Sequence, residues 1–276
     1  MLVSLRCRAL TKKYAFTCVA FLGTVSSVSL QAQSQFGTEL NEGTQAYRQA
    51  KFEEAIDHFQ KAVSLDPQSK AAHLYLATAL AGQYIPGVDV AENLKIGQVA
   101  LDEFQKALDL DPKSLDSMKG IASLDFAMKR FEAAKQVDLR IIELEPGNPE
   151  FYYAIGILDW TQSYTRRMEL RGKLGLDPAE PLINAKECWD LRNDDQDLVK
   201  DGIGQLAKAL QLRRDYDDAM AYMNLLYRER ADIQCGDIVS YRADVQTAGK
   251  WVDATLAVKK EKAAPKTVVA PPNNPQ

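Results

Sequence analysis

Few residues of this sequence have side chains that commonly perform catalysis or bind metal ions. There are two histidines, His58 and His73, and each lies inside a helical apolar pattern. That position favours a structural or exposed histidine over a metal ligand or a general base. No Cys-x-x-Cys or His-Glu-x-x-His motif occurs. We therefore predict no catalytic residues and no metal site.

One glycine motif is similar to a nucleotide-binding fingerprint. Gly202-Ile-Gly204-Gln-Leu-Ala207 has the glycine spacing that brings backbone close to a dinucleotide phosphate. The fingerprint requires a buried strand before it, but here the polar segment Asp-Leu-Val-Lys-Asp precedes it. Ile203, Leu206 and Leu210 instead have helical spacing, so we predict a helix and no cofactor.

The N-terminus has the composition of a secretory signal peptide. Residues 1–32 contain four cations and no acid, and an apolar stretch from Tyr14 to Leu30 ends near Ala32. A positive start, a short apolar core and a small residue near the exit are typical of a cleaved signal. We expect cleavage after Ala32 and export to the periplasm or cell envelope of a Gram-negative bacterium. An uncleaved membrane anchor is the alternative.

The cysteines are informative if the chain is exported. Removal of residues 1–32 removes Cys7 and Cys18 and leaves Cys188 and Cys235. An even number of cysteines in an oxidising compartment favours a disulfide. We predict a bond between Cys188 and Cys235, and two free thiols are the alternative.

Composition and charge exclude some functions. The chain has 276 residues, 46% hydrophobic and 26% charged, which suits one or two globular domains or one repeat array. Its net charge is -4, and without the four cations of residues 1–32 it is 30 minus 38, or -8. Because phosphate neutralisation needs clustered Lys and Arg, we expect no nucleic-acid partner.

A repeat recurs along the first half of the chain. Three segments have small, aromatic or apolar residues at matching positions and end in proline: 52–67, 99–112 and 131–146. Pro112 and Pro146 are 34 residues apart, as are Gly43 and Ala77. A small residue lets two antiparallel helices approach closely, and the proline ends the second helix. Each helix pair leaves an apolar face that only a neighbouring pair can cover.

These segments closely resemble the tetratricopeptide repeat, and the resemblance extends from about Phe36 to Leu256. It implies an all-α fold, an α-solenoid of about five helix pairs over residues 33–258. We expect insertions at about 83–94 and 165–199. The second is interpreted as a lengthened helix followed by a structured loop, with a degenerate repeat as the alternative. Ile238–Val258 is predicted to be a closing helix, and residues 259–276 a disordered tail.

The resemblance also implies a binding groove, because the first helices of such repeats line a concave face. The matching positions are Leu40, Thr44, Tyr47, Arg48, Leu74, Thr78, Lys119, Ser123, Phe126, Tyr153, Ile157 and Trp160. Ordinary packing between repeats is the alternative for each of them. Aromatic and basic side chains at these positions would be suitable anchors for a peptide segment.

The function expected from this resemblance is a non-catalytic envelope scaffold that binds a protein or peptide of unknown identity. A component of an outer-membrane assembly or secretion complex is the alternative. An enzyme or carrier protein is disfavoured, because no stretch of about 100 residues remains for a second domain.

Overall fold

The computed structural model describes residues 24–177, 182 and 186–264, with side chains from Gln33 onward. All regular structure in these ranges is helical. The helices are α1 (Thr24–Arg48), α2 (Phe52–Leu65), α3 (Lys70–Gln83), α4 (Ala91–Leu110), α5 (Leu115–Ala127), α6 (Phe131–Leu144), α7 (Pro149–Leu174), α8 (Lys186–Leu212), α9 (Asp217–Asp232) and α10 (Ile238–Ala263). None of these described helices is both long enough and apolar enough to cross a membrane.

The helices pack as five consecutive pairs, α1–α2, α3–α4, α5–α6, α7–α8 and α9–α10. Each pair also contacts the next one, so the pairs stack in chain order. This confirms the predicted all-α solenoid of five helix pairs. The closing helix is α10, which is the second helix of the fifth pair and not an additional helix.

Small residues and prolines act where the repeat pattern predicts. Ala55, Ala100 and Ala134 are almost completely buried on the second helices of the first three pairs. Helices α2, α4 and α6 each end two residues before the proline of the motif. Ser69 and Ser114 then cap the following helices through hydrogen bonds from backbone N–H groups.

The buried side chains form two apolar clusters that meet at α7. The first joins α1–α7 and includes Phe59, Phe104 and Phe151. The second joins α7–α10 and includes Tyr152 and Leu206. Because α7 contributes Phe151 to one cluster and Tyr152 to the other, it connects the two halves of the stack.

The first insertion is a short ordered loop and an early start of α4. The loop occupies residues 84–90, and Gly87 has a positive φ of 78° that suits a turn. Asn93 holds the loop: its side chain accepts a hydrogen bond from Ile85 N–H and donates to the carbonyls of Ile85 and Val88. The insertion is therefore fixed against the second pair.

The second insertion differs from the expected loop. Helix α7 is lengthened to Leu174, as predicted, but α8 already begins at Lys186. Residues 186–199, which were expected to be a loop, are thus the first half of a 27-residue helix. The insertion lengthens both helices of the fourth pair.

The two chain ends fall partly outside the described residues. Helix α10 continues to Ala263. Residues 259–263 are therefore helical, and the prediction that they are disordered was wrong. Residues 265–276 lie outside the described residues. Helix α1 begins at Thr24, before the expected cleavage point after Ala32, while residues 1–23 are not described. The signal peptide therefore stays a prediction.

Candidate functional site

Two adjoining cavities lie along the first helices of the pairs. The first has a volume of about 650 Å³ and the second about 370 Å³. Both are lined by Lys119 and Ser123 of α5, so they form one continuous groove across the first four pairs. We call these two cavities together the groove.

The first cavity combines buried and exposed aromatic rings. Phe59 and Phe104, from the second helices of the first two pairs, are only 2% and 3% exposed. Tyr47 and Tyr75 also line this cavity and are 36% and 41% exposed. Tyr84, at the start of the first insertion, contributes to the same lining. The cavity therefore presents apolar surface that a bound chain could cover.

Most of the predicted groove positions line these cavities. They are Thr44, Tyr47, Leu74, Thr78, Lys119, Ser123, Phe126, Tyr153 and Ile157. Among the others, Leu40 packs against the N-terminal apolar cluster and Arg48 lies exposed at the end of α1. Trp160 stacks on Tyr164 at 5.0 Å between ring centroids and meets Tyr222 edge-on at 5.2 Å. For Leu40 and Trp160 the structure shows packing within the solenoid.

The second cavity contains a buried carboxylate that sequence reasoning missed. Asp138 of α6 lines it and is only 6% exposed. Phe126, Phe151 and Tyr153 line the same cavity. Burial raises the pKa of the Asp138 carboxyl to about 7, because a charged carboxylate loses its hydration there.

A comparison of the repeats in the sequence singles out Asp138. Asp138 occupies the position that Phe59 and Phe104 have in the first two repeats. A Cβ atom on Gly120 would lie 2.3 Å from the Phe104 ring, so that phenylalanine requires glycine opposite it. The residue 34 positions after Gly120 is Ala154, which lines the second cavity. The two corresponding pairs of positions thus differ, with Phe104 and Gly120 in one and Asp138 and Ala154 in the other.

Other charged groups of the second cavity have identifiable partners. The Lys119 ammonium lies 5.6 Å from the centroid of the Phe151 ring, a cation–π contact. Glu150 accepts a hydrogen bond from the Tyr216 hydroxyl and pairs with Arg213 at 2.8 Å. Burial raises the pKa of Glu150, but these hydrogen bonds outweigh burial and leave that pKa below its usual value.

The two histidines lie outside the groove. His73 has acceptors at both ring nitrogens, Glu103 at 2.6 Å and the Pro67 carbonyl at 3.0 Å. His58 Nδ1 lies 2.7 Å from a Glu39 carboxylate oxygen, and Glu42 is also close. Glu39, Glu42 and His58 are the described residues whose ligand atoms could hold a metal ion. Their partly exposed contacts are also those of an ordinary surface ion pair.

The predicted cysteine pair forms a disulfide in the structure. The sulfurs of Cys188 and Cys235 are 2.07 Å apart and their Cα atoms 5.6 Å apart. Cys188 is in the first turn of α8, and Cys235 follows α9 in the turn before α10. The bond therefore attaches the start of the lengthened α8 to the fifth pair.

Comparison with known proteins supports the same architecture. A profile of the tetratricopeptide repeat matches residues 45–69. The structure of MamA residues 41-end from Desulfovibrio magneticus RS-1 is similar, with a TM-score of 0.56, 15% identity and coverage of 83% of this chain and 98% of that one. The structure of YrrB, described as a TPR protein with an unusual peptide-binding site, has a TM-score of 0.53 and 13% identity, covering 86% of this chain and 93% of that one.

A second MamA structure has a TM-score of 0.57 and 15% identity, covering 87% of this chain and 100% of that one. A search of curated protein sequences found no significant match. At these identities the structural likeness shows the fold alone.

Proposed function

We propose that this chain, a tetratricopeptide-repeat protein, is a non-catalytic scaffold that holds a segment of another protein in its groove. The fold is a scaffold typical of protein interaction. The observation that carries the proposal is the row of accessible aromatic side chains in the groove. Tyr47, Tyr75 and Phe126, from the first helices of the first three pairs, are 36%, 41% and 37% exposed.

A peptide segment suits this groove better than a small molecule does. The groove crosses four helix pairs, and its anchors are spaced along it on separate helices. Exposed aromatic rings with polar neighbours are common anchors in protein interfaces, because they bury a large area with little loss of side-chain freedom. The peptide-binding site described for YrrB is consistent with this use of the fold.

The site of action that we propose is the periplasm or cell envelope. Two features support export: the cationic and then apolar composition of residues 1–32, and the Cys188–Cys235 disulfide. N-terminal sequencing of the protein purified from cells tests this. A start near Gln33 is expected, and an intact Met1 in cytosolic extract would contradict export.

A site-specific photo-crosslinker tests the groove directly. Placed at Tyr75 in cells, it is expected to join the protein to a partner polypeptide. At Val239, which is 75% exposed on α10, it is expected to give no such product. The double variant Tyr47→Ala, Phe126→Ala should abolish crosslinking from position 75, with Trp189→Ala, an exposed aromatic outside the two cavities, as the control.

The folded state of each variant is checked by circular dichroism. Undiminished crosslinking by the folded double variant would contradict binding in the groove. The binding surface would then be sought at the first insertion, where Ile85 and Val90 are 58% and 56% exposed.

A further inference from the structure

We propose that the second cavity receives a lysine or arginine side chain of the bound segment, whose cation pairs with the Asp138 carboxylate. This inference rests on the proposed function, since it names a chemical feature of the segment held in the groove. Phe126, Phe151 and Tyr153 surround the incoming side chain.

Asp138 differs from the other buried carboxylates in lacking an ionic partner. In the part of the chain that the structure describes, each of the others forms an ion pair with Lys, Arg or His; these are Glu103, Asp125, Asp159, Asp195, Glu229, Asp232 and Asp244. Asp138 forms neither an ion pair nor a hydrogen bond with the described residues. A buried charge without a partner is costly, so a cation supplied from outside the chain would stabilise the charged form of Asp138.

The same difference between repeats decides what lines the cavity. In the first two repeats a phenylalanine occupies this position, is buried and lines the first cavity. In the third repeat Asp138 takes that place and lines the second cavity. The groove therefore has a carboxylate in the third repeat where the first two repeats have an aromatic ring.

The walls of the cavity suit a long basic side chain. Aromatic faces attract cations and also pack against the methylene stem of lysine or arginine. A carboxylate at the end of such a cavity forms a charge-assisted hydrogen bond with the cation. The chain as a whole is acidic, with a net charge of -4, which favours the approach of a basic segment.

Lys119 does not take the place of this cation. Its ammonium lies over the Phe151 ring, and no ion pair joins it to Asp138. Its side chain is exposed at the border between the two cavities. Lys119 would repel an incoming cation weakly, so its removal should strengthen, and not weaken, the binding of a basic segment.

A positional-scanning peptide array tests the inference with the full chain. The probes are nine-residue peptides in which one position is fixed and the others are varied. Wild-type protein is expected to select lysine or arginine at one position. Asp138→Asn keeps the shape of the side chain but removes the charge, and should weaken binding of the selected basic peptides at least about tenfold.

Two further variants separate this inference from the proposed function. Tyr75→Ala should weaken binding of all peptides while the preference for lysine or arginine remains. Lys119→Met should increase that preference. If wild-type protein binds no peptide, the proposed function fails; if it binds peptides but Asp138→Asn selects the same basic residues equally well, only this inference is overturned.

The pH dependence of binding gives an independent readout. The titratable groups that line the cavity are Asp138 of α6, Lys119 of α5, and Glu150 and Tyr153 of α7. The pKa of Glu150 is lowered, and burial raises the pKa of Tyr153 to about 12. Burial raises the pKa of Asp138 to about 7. The affinity of wild type for a basic peptide, relative to that of Asp138→Asn, should therefore increase from pH 6 to pH 8. An unchanged difference between the two proteins over this range would contradict pairing with Asp138.

Discussion

Asp138 is a residue whose cost to the folded protein can be measured. Its folded-state pKa of about 7 lies well above the ordinary value of 3.8. Between these two values the folded carboxyl retains a proton that the unfolded carboxyl has lost. The contribution of Asp138 to the free energy of unfolding therefore falls as the pH rises between these two values, and it is constant at higher pH.

The expected result is that Asp138→Asn stabilises the protein, and more so at high pH. The free energy of unfolding of the variant relative to wild type should rise by about 2–3 kcal/mol between pH 5 and pH 8. Urea unfolding followed by circular dichroism at several pH values measures it. Asp57→Asn, at an exposed position on α2, is the control for loss of one charge. A difference that is constant with pH would show that Asp138 does not titrate in this range.

At the scale of single residues, the sequence predicts the place of a residue in the repeat better than it predicts which neighbours cover that residue. The twelve groove residues came from the repeat register, and Thr44, Leu74 and Ser123 do line the cavities. Trp160 has the same register but packs inside, because the lengthened α7 and Tyr222 of α9 cover it. The register alone does not show which neighbouring element covers a position.

At the scale of helices, the fourth pair shows why part of the fold was missed. Little apolar periodicity was recognised in residues 186–199, and this favoured a loop. The buried positions of this region are Cys188, Leu191, Asp195 and Val199, which have helical spacing. Asp195, which binds Arg166 of α7, interrupts the apolar stripe. A buried charge within a short apolar stripe weakens the helical signal in the sequence.

The helix crossings of the well-formed repeats allow a sharp test. Gly120→Ala would place a Cβ 2.3 Å from the buried Phe104 ring, so α5 or the ring must shift. We expect a loss of about 1–3 kcal/mol in the free energy of unfolding. Gly249→Ala is the matched control, since nothing lies within 4 Å of its Cβ and alanine favours a helix.

Gly249→Ala should leave the stability unchanged or raise it by up to about 1 kcal/mol. Both variants are compared with wild type by urea unfolding. Equal effects of the two substitutions would show that α5 does not approach Phe104 as closely as the structure indicates.

At the scale of the whole molecule, the two halves of the stack are held by different means. The first three pairs share an apolar cluster built on repeat positions such as Phe59, Phe104 and Ile141. The last two pairs combine an apolar cluster with the charge pairs of α7–α9 and the disulfide. In a solenoid each pair contacts only its neighbours, so a local change should remain local.

Reduction of the disulfide tests this division. The bond closes a loop with a sequence separation of 47 residues, for which the chain-entropy model gives at most about 4 kcal/mol. The ion pairs of Arg167 with Glu229 and Asp232 remain after reduction and still connect α7 to α9. We therefore expect a folded protein whose C-terminal half is less stable.

Hydrogen exchange read by mass spectrometry should locate that loss. Reduction is expected to speed exchange at the start of α8, the end of α9 and the following turn, and to leave α1–α4 unchanged. The double variant Cys188→Ser, Cys235→Ser should show the same pattern without reductant and no further response to it. Faster exchange in α1–α4 as well would mean that the stack unfolds as one unit. The bond to the fifth pair would then stabilise the groove from a distance, although no helix that carries it lines either cavity.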